Sequence, residues 1–150
     1  MPAERPESDF LRAFRLAFEE RNRAWNAGDV RGAYAGFPDE LEYRLSPGWP
    51  EARVLRGWDD VIAFFEGFQE TFPDARTELR EFIEADEGTV VVGSQVTGSG
   101  RSSGAGTEME IWQVWELGEE LTPTSVREFG SRREALEEVG AHERIEGGAR

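Results

Sequence analysis

The stretch Thr107–Leu117, TEMEIWQVWEL, decides the fold. Its residues alternate between two faces, as a β-strand requires. Met109, Ile111, Gln113, Trp115 and Leu117 share one face; Glu108, Glu110, Trp112, Val114 and Glu116 share the other. The first face is apolar with one amide at its centre. The second is acidic at its ends and holds Trp112 and Val114 in its middle. A strand with one solvated face does not place a tryptophan there. The pattern therefore predicts a central strand that lines an interior on one side and meets something else on the other.

Working outward, the flanking segments keep the period of two. Gly118–Glu120 predicts a turn and Leu121–Phe129 a last strand, with Pro123 marking an interrupted or edge start. Upstream, the run SGRSSGAG over 99–106 predicts a hairpin tip. Thr89–Thr97, TVVVGSQVT, is a strand, Asp86-Glu87-Gly88 a turn, and Thr77–Glu84 another strand whose adjacent Phe82 and Ile83 predict a bulge.

The first half of the chain is periodic in another way. Phe10, Phe14 and Phe18 recur at i+4 behind Ser8 and Asp9, and Trp25 follows Phe18 at i+7, which predicts a helix from about 9 to 26 with an aromatic stripe. Asn26-Ala27-Gly28 ends it, and Asp29 caps a short helix over Val30–Gly36 that Pro38 stops. Glu40–Leu45 alternates as a first strand. Ser46–Ala52, SPGWPEA, reads as a loop and Val54-Leu55 as a short extended piece. Trp58–Thr71 carries a third helical stripe of Val61, Phe65 and Phe68, closed by Pro73. Beyond the strands, Ser131 caps a short helix over Arg132–Val139 that Gly140 ends. Residues 1–7 read as a disordered lead and 141–150 as a polar tail. The sum is an α+β arrangement: three N-terminal helices packed on a curved, mostly antiparallel sheet, with a concavity between them. One domain spans 1–150, its core over about 8–140.

Composition narrows the function classes. The chain has 150 residues, no cysteine and a net charge of −14. Such an excess of acid argues against nucleic acid, whose binding needs a basic face, and disfavours anionic membrane surfaces. No apolar run approaches the roughly 20 residues of a membrane span, and the charged N-terminus lacks a leader's apolar stretch, so a cytoplasmic location is expected. The single histidine, His142, cannot build a multi-histidine metal site, and no calcium-loop spacing occurs, so no metal and no cofactor are expected.

Several segments together carry a family resemblance. They are Trp25-Asn26-Ala27-Gly28-Asp29, Leu41-Glu42-Tyr43, Leu55-Arg56-Gly57, Val114-Trp115-Glu116-Leu117, Arg127-Glu128-Phe129 and Arg133-Glu134-Ala135-Leu136. In order and spacing the chain resembles the SnoaL-like branch of the nuclear transport factor 2 superfamily over about residues 8–140. The resemblance implies a cystatin-like α+β cone enclosing an apolar cavity. In that superfamily the cavity serves cyclases, isomerases, epoxide hydrolases, dehydratases and binders without chemistry, so fold alone selects no function.

Alternation places Tyr43, Ser94, Gln113, Trp115 and Glu128 on the cavity side, with Phe65 and Phe68 from the third helix, Phe18 and Trp25 on one wall, and Trp58 at the mouth. Glu128 is the candidate acid or base, because an apolar site raises a carboxyl pKa; the alternative is a surface acid paired with arginine. Tyr43 could donate to a ligand oxygen or simply be core. Gln113 must find partners, and it cannot move a proton near neutral pH; relatives often carry histidine there. The Asp–Arg–Asp set of epoxide hydrolases and the aspartate of ketosteroid isomerases are both missing from the matching positions. The leading expectation is a pocket for a small apolar, oxygenated molecule, as an isomerase, cyclase or hydrolase without a cofactor. The alternatives are a binding module and an assembly protein. On the far face, Val91, Gln95, Trp112 and Val114 predict an uncharged patch and a homodimer through it.

Overall fold

The computed structural model describes residues 7–49, 51, 53–99 and 106–146. Residues 1–6 of the lead expected over 1–7, residues 100–105 of the Gly/Ser tip expected over 99–106, the side chain of His142 and the end of the tail lie outside the described residues.

Helix α1, Asp9–Asn26, begins where Ser8 Oγ accepts from the Leu11 amide at 3.0 Å. It buries Phe14 and Trp25. Asp29 caps α2, Val30–Ala33, by accepting from Gly32 N–H at 2.9 Å. Strands β1, Glu42–Arg44, and β2, Val54–Arg56, are short. Helix α3, Gly57–Thr71, follows β2 without a linker. Gly57 makes that junction possible: its φ is +79°, and a Cβ there would lie 2.7 Å from the Asp39 carbonyl oxygen. Then come β3, Arg76–Asp86, β4, Thr89–Ser99, and β5, Gly106–Leu117. A single 3₁₀ turn over Glu119–Leu121 leads into β6, Pro123–Phe129, which has its proline at the first position. Helix α4, Arg132–Glu146, ends the described chain.

The six strands lie in the order β2-β1-β6-β5-β4-β3. All neighbours are antiparallel except β1 and β6, which run parallel. The register puts Ser94 opposite Ile111, Val92 opposite Gln113 and Gln113 opposite Glu128, all on the concave face. Helices α1, α2 and α3 close that face. Phe14 and Phe18 meet Trp115 edge-on at 5.9 and 5.2 Å. Phe65 sits against Trp25, Tyr43 and Trp49.

Three expectations need correction. The irregular steps in β3 fall between Leu79 and Glu81 and between Glu84 and Asp86, not at Phe82-Ile83. Phe82 and Ile83 simply point to opposite faces, one into each apolar cluster. The last helix does not stop at Val139 but runs through Gly140. Most consequential, the far face of the sheet is not an open patch. Val91, Trp112 and Val114 are buried beneath Ala135, Leu136 and Val139 of α4, while Gln95 stays at the edge, half-buried. The partner that Trp112 requires is the chain's own C-terminal helix, so the expected dimer loses the surface it rested on.

Candidate functional site

Glu128 projects from β6 into the concave face and is 3% exposed. Gln113 stands directly across on β5, and Tyr43 comes from β1 one register step along. Three strands thus bring three polar side chains to one point. A fourth arrives from the loop after β1, where Ser46 is buried and Trp49 turns inward.

The geometry is closed. Glu128 Oε1 accepts from the indole N–H of Trp49 at 2.6 Å and from the Ser46 amide at 3.1 Å. Glu128 Oε2 accepts from the Tyr43 hydroxyl and from Gln113 Nε2, both at 2.7 Å. Gln113 Nε2 also donates to the Tyr43 oxygen at 2.8 Å, and Gln113 Oε1 accepts from the Trp115 indole at 2.9 Å. A carboxylate offers about four lone-pair sites, and here four protein donors fill them. The amide is likewise spent on both ends.

Burial raises Glu128 above the ordinary carboxyl range, while the bonds from Tyr43, Gln113, Ser46 and Trp49 pull it back. The same burial, together with the neighbouring carboxylate, holds the Tyr43 phenol well above its usual value. Tyr34, beside Tyr43, is raised for the same two reasons.

This cluster forms part of the wall of a cavity of about 70 Å³. The rest is largely aromatic: Phe18, Trp25, Tyr34, Phe37, Phe65 and Trp115. Ser94 lines it too, its hydroxyl 3.4 Å from the Ile111 carbonyl. Of the residues expected from the sequence, Tyr43, Phe65, Ser94, Gln113, Trp115 and Glu128 come together here. Two do not. Phe68 packs between Trp25, Trp49 and Phe72 and opens on a separate groove with Phe64. Trp58 is half-buried on the outside of α3, under the Arg31 guanidinium at 5.5 Å.

Trp49, Tyr34 and Arg21 also line the cavity but carry no signal in the simple alternation. Trp49 sits in a Pro/Gly loop where no period reports direction. Arg21 could have been found from its place three residues after Phe18 and four before Trp25, which puts it beside the aromatic stripe. Among the described residues, no group of three or more His, Asp or Glu side chains is placed to hold a metal ion. No helix there is long and apolar enough to cross a membrane.

An α+β cone with helices over the concave face of its sheet is the fold of the SnoaL-like proteins. A SnoaL-like domain model matches residues 18–121, and the chain belongs to that family. No curated protein matches it. Several solved structures share the fold. Bal32a, from a soil-derived mobile gene cassette, superposes with a TM-score of 0.69 at 18% identity over 86% of this chain and 97% of its own. SalBIII, an epoxide hydrolase/cyclase-like enzyme of pyran ring formation in the polyether salinomycin, gives 0.67 at 17% identity over 81% and 93%. Rv0760c from Mycobacterium tuberculosis, in complex with estradiol-17beta-hemisuccinate, gives 0.64 at 15% identity over 79% and 93%. At these identities the likeness concerns the fold alone.

Proposed function

We propose that this chain binds a small, mainly apolar ring compound in the cone cavity, and that the Glu128 cluster is the polar floor of that cavity rather than an acid–base catalyst. What carries the reading is the saturation of Glu128. A general base must aim a free lone pair at the substrate proton. Here Tyr43, Trp49, Gln113 and the Ser46 amide take all the sites a carboxylate has. Gln113, standing across from it, has no proton to relay near neutral pH. The aromatic walls supply apolar area, and the polar floor keeps the cavity open by holding its own geometry.

Size sets the ligand class. A cavity of about 70 Å³ holds a group of a few heavy atoms, or one small ring if the mouth yields slightly. Polycyclic ligands would require the helices to move apart. The test is calorimetric titration of benzamide and benzyl alcohol into the wild-type chain and into Ser94→Leu, which fills the cavity. Binding to wild type and its loss in the variant are expected; equal titrations in both would remove the cavity from the account.

A second reading has one observation behind it. Glu128 is a buried acid of raised pKa touching a phenol, which is the pairing a proton-transfer site would use. For that reading one donor must leave Glu128 when substrate enters. Turnover of an oxygenated ring compound that vanishes in Glu128→Gln, while its binding persists, would establish the enzyme and displace the binder.

A further inference from the structure

The α1 wall of the cavity differs from its floor. At the floor every polar atom is paired. On α1 one donor is not, and one guanidinium has no counter-charge. Among the described residues the indole N–H of Trp25 is buried without a hydrogen-bond partner, and Trp25 itself is 8% exposed. Arg21, four residues earlier and therefore on the same helix face, also lines the cavity. Its guanidinium lies over the Phe37 ring at 5.2 Å and donates one bond, at 3.0 Å, to the Ala33 carbonyl. No carboxylate pairs with it among the described residues, although acids far outnumber arginines in this chain and nine other arginines have an acidic partner.

A guanidinium without a counter-charge and an indole donor without a partner on one helix face at the cavity ask for an acceptor. An orphaned donor such as this indole N–H is uncommon inside proteins because it costs free energy. A neutral acceptor would satisfy the indole. An anion would satisfy the indole and also neutralise the guanidinium, and a carboxylate has the two oxygens to do so, one for each donor. Arginine is suited to this because its planar fork matches a carboxylate and it sheds water readily.

The charge of Glu128 does not forbid an anion on the opposite wall. Tyr34 and Tyr43 stand between, Tyr34 beside Arg21 and Tyr43 on the carboxylate. Four neutral donors stabilise the Glu128 charge where it sits, and although its field still reaches Tyr34, the Arg21 guanidinium is the charge next to that wall. The net charge of −14 works against long-range attraction of anions, but at physiological salt that field is screened within about 8 Å. Selection is therefore local, made at Arg21.

We propose that the cavity takes a carboxylate-bearing ring compound, with the carboxylate bridging the Arg21 guanidinium and the Trp25 indole N–H and the ring lying among Tyr34, Phe65 and Ile111. This rests on the ligand-binding reading above and adds the charge and orientation of the ligand.

The experiment compares benzoate with benzamide, which has nearly the same shape and no charge, and with the cationic benzylamine, by calorimetry at pH 7 and physiological salt. In wild type benzoate should bind roughly tenfold tighter than benzamide, and benzylamine weakest. In Arg21→Gln the benzoate advantage should fall to within about twofold; Arg21→Lys, which keeps the charge but not the fork, should retain part of it. Circular dichroism checks that each variant is folded. Should Arg21→Gln fail to fold, Trp25→Phe carries the test: it keeps a ring and removes the N–H, so both benzoate and benzamide should weaken several-fold and toluene least. Benzamide or benzylamine binding as tightly as benzoate, or a benzoate advantage that survives Arg21→Gln, overturns this inference while leaving the cavity as a binding site. Absence of binding by every ring compound overturns both.

Discussion

Glu128 holds a carboxylate in the interior with neutral partners only, and its four donors make that tenable. Replacing one oxygen by an amide breaks the pattern. In Glu128→Gln the new NH₂ must face either the Trp49 and Ser46 donors or the Gln113 donor. The expected loss is about 2–3 kcal/mol in denaturant unfolding, the scale of a broken charge-assisted bond left partly unpaired. Gln113→Leu should cost about 1–3 kcal/mol, because it strips Glu128 of a donor and Trp115 of its acceptor. The pH dependence has a defined sign. Glu128 is raised above 4.5 in the folded chain, so the native state holds its proton longer than the unfolded one. Its contribution to stability is therefore full below about pH 4.5 and is lost as pH rises through the folded value. Over that window wild type should lose stability relative to Glu128→Gln. A difference between the two that grows in the opposite direction would show the carboxylate, not the acid, to be the favoured buried form.

The elements explain what could be read from the chain and what could not. Strand β5 announced both of its faces, because the period of two is sustained and each face has a distinct composition. Gln113 was legible as an amide in need of partners and Glu128 as a cavity-side acid, with a surface acid paired with arginine as its alternative; that the two stand opposite each other was not. The identity of the cover on the far face was not legible. Ala135, Leu136 and Val139 form a stripe scarcely more than one turn long, and Gly140 reads as a stop. Yet α4 is well anchored. Ser131 accepts from the Glu134 amide at 3.1 Å and donates back to its side chain, and Arg127 reaches across from β6 to Glu138. Trp112 lies flat over Gly93, where a Cβ would come within 2.4 Å of the ring. Gly93→Ala should therefore push Trp112 outward, loosen α4 and destabilise the chain by about 1–3 kcal/mol, with faster amide exchange in α4 as the specific sign. Trp49 stayed hidden for a different reason: loop residues have no period, and only tertiary contact turns this one inward.

At the scale of the molecule, the helices divide the sheet into two jobs. Helices α1, α2 and α3 roof a cavity, and α4 closes the apolar back. Ending the chain after Gly130 should expose Val91, Trp112 and Val114 together, and such a patch drives association. Sedimentation should show the shortened chain self-associating, with Trp112→Asp in that background returning it towards monomer; a monomeric shortened chain would mean the back face is closed by something other than α4. The front of the molecule carries the functional claim, which a crystal structure of the full chain soaked with benzamide tests most directly. The expected result is the ring seated between Phe65 and Ile111, with all four bonds to Glu128 intact. A ligand bound directly to Glu128 in place of one of its donors, or lodged instead in the groove of Phe64 and Phe72, would contradict it.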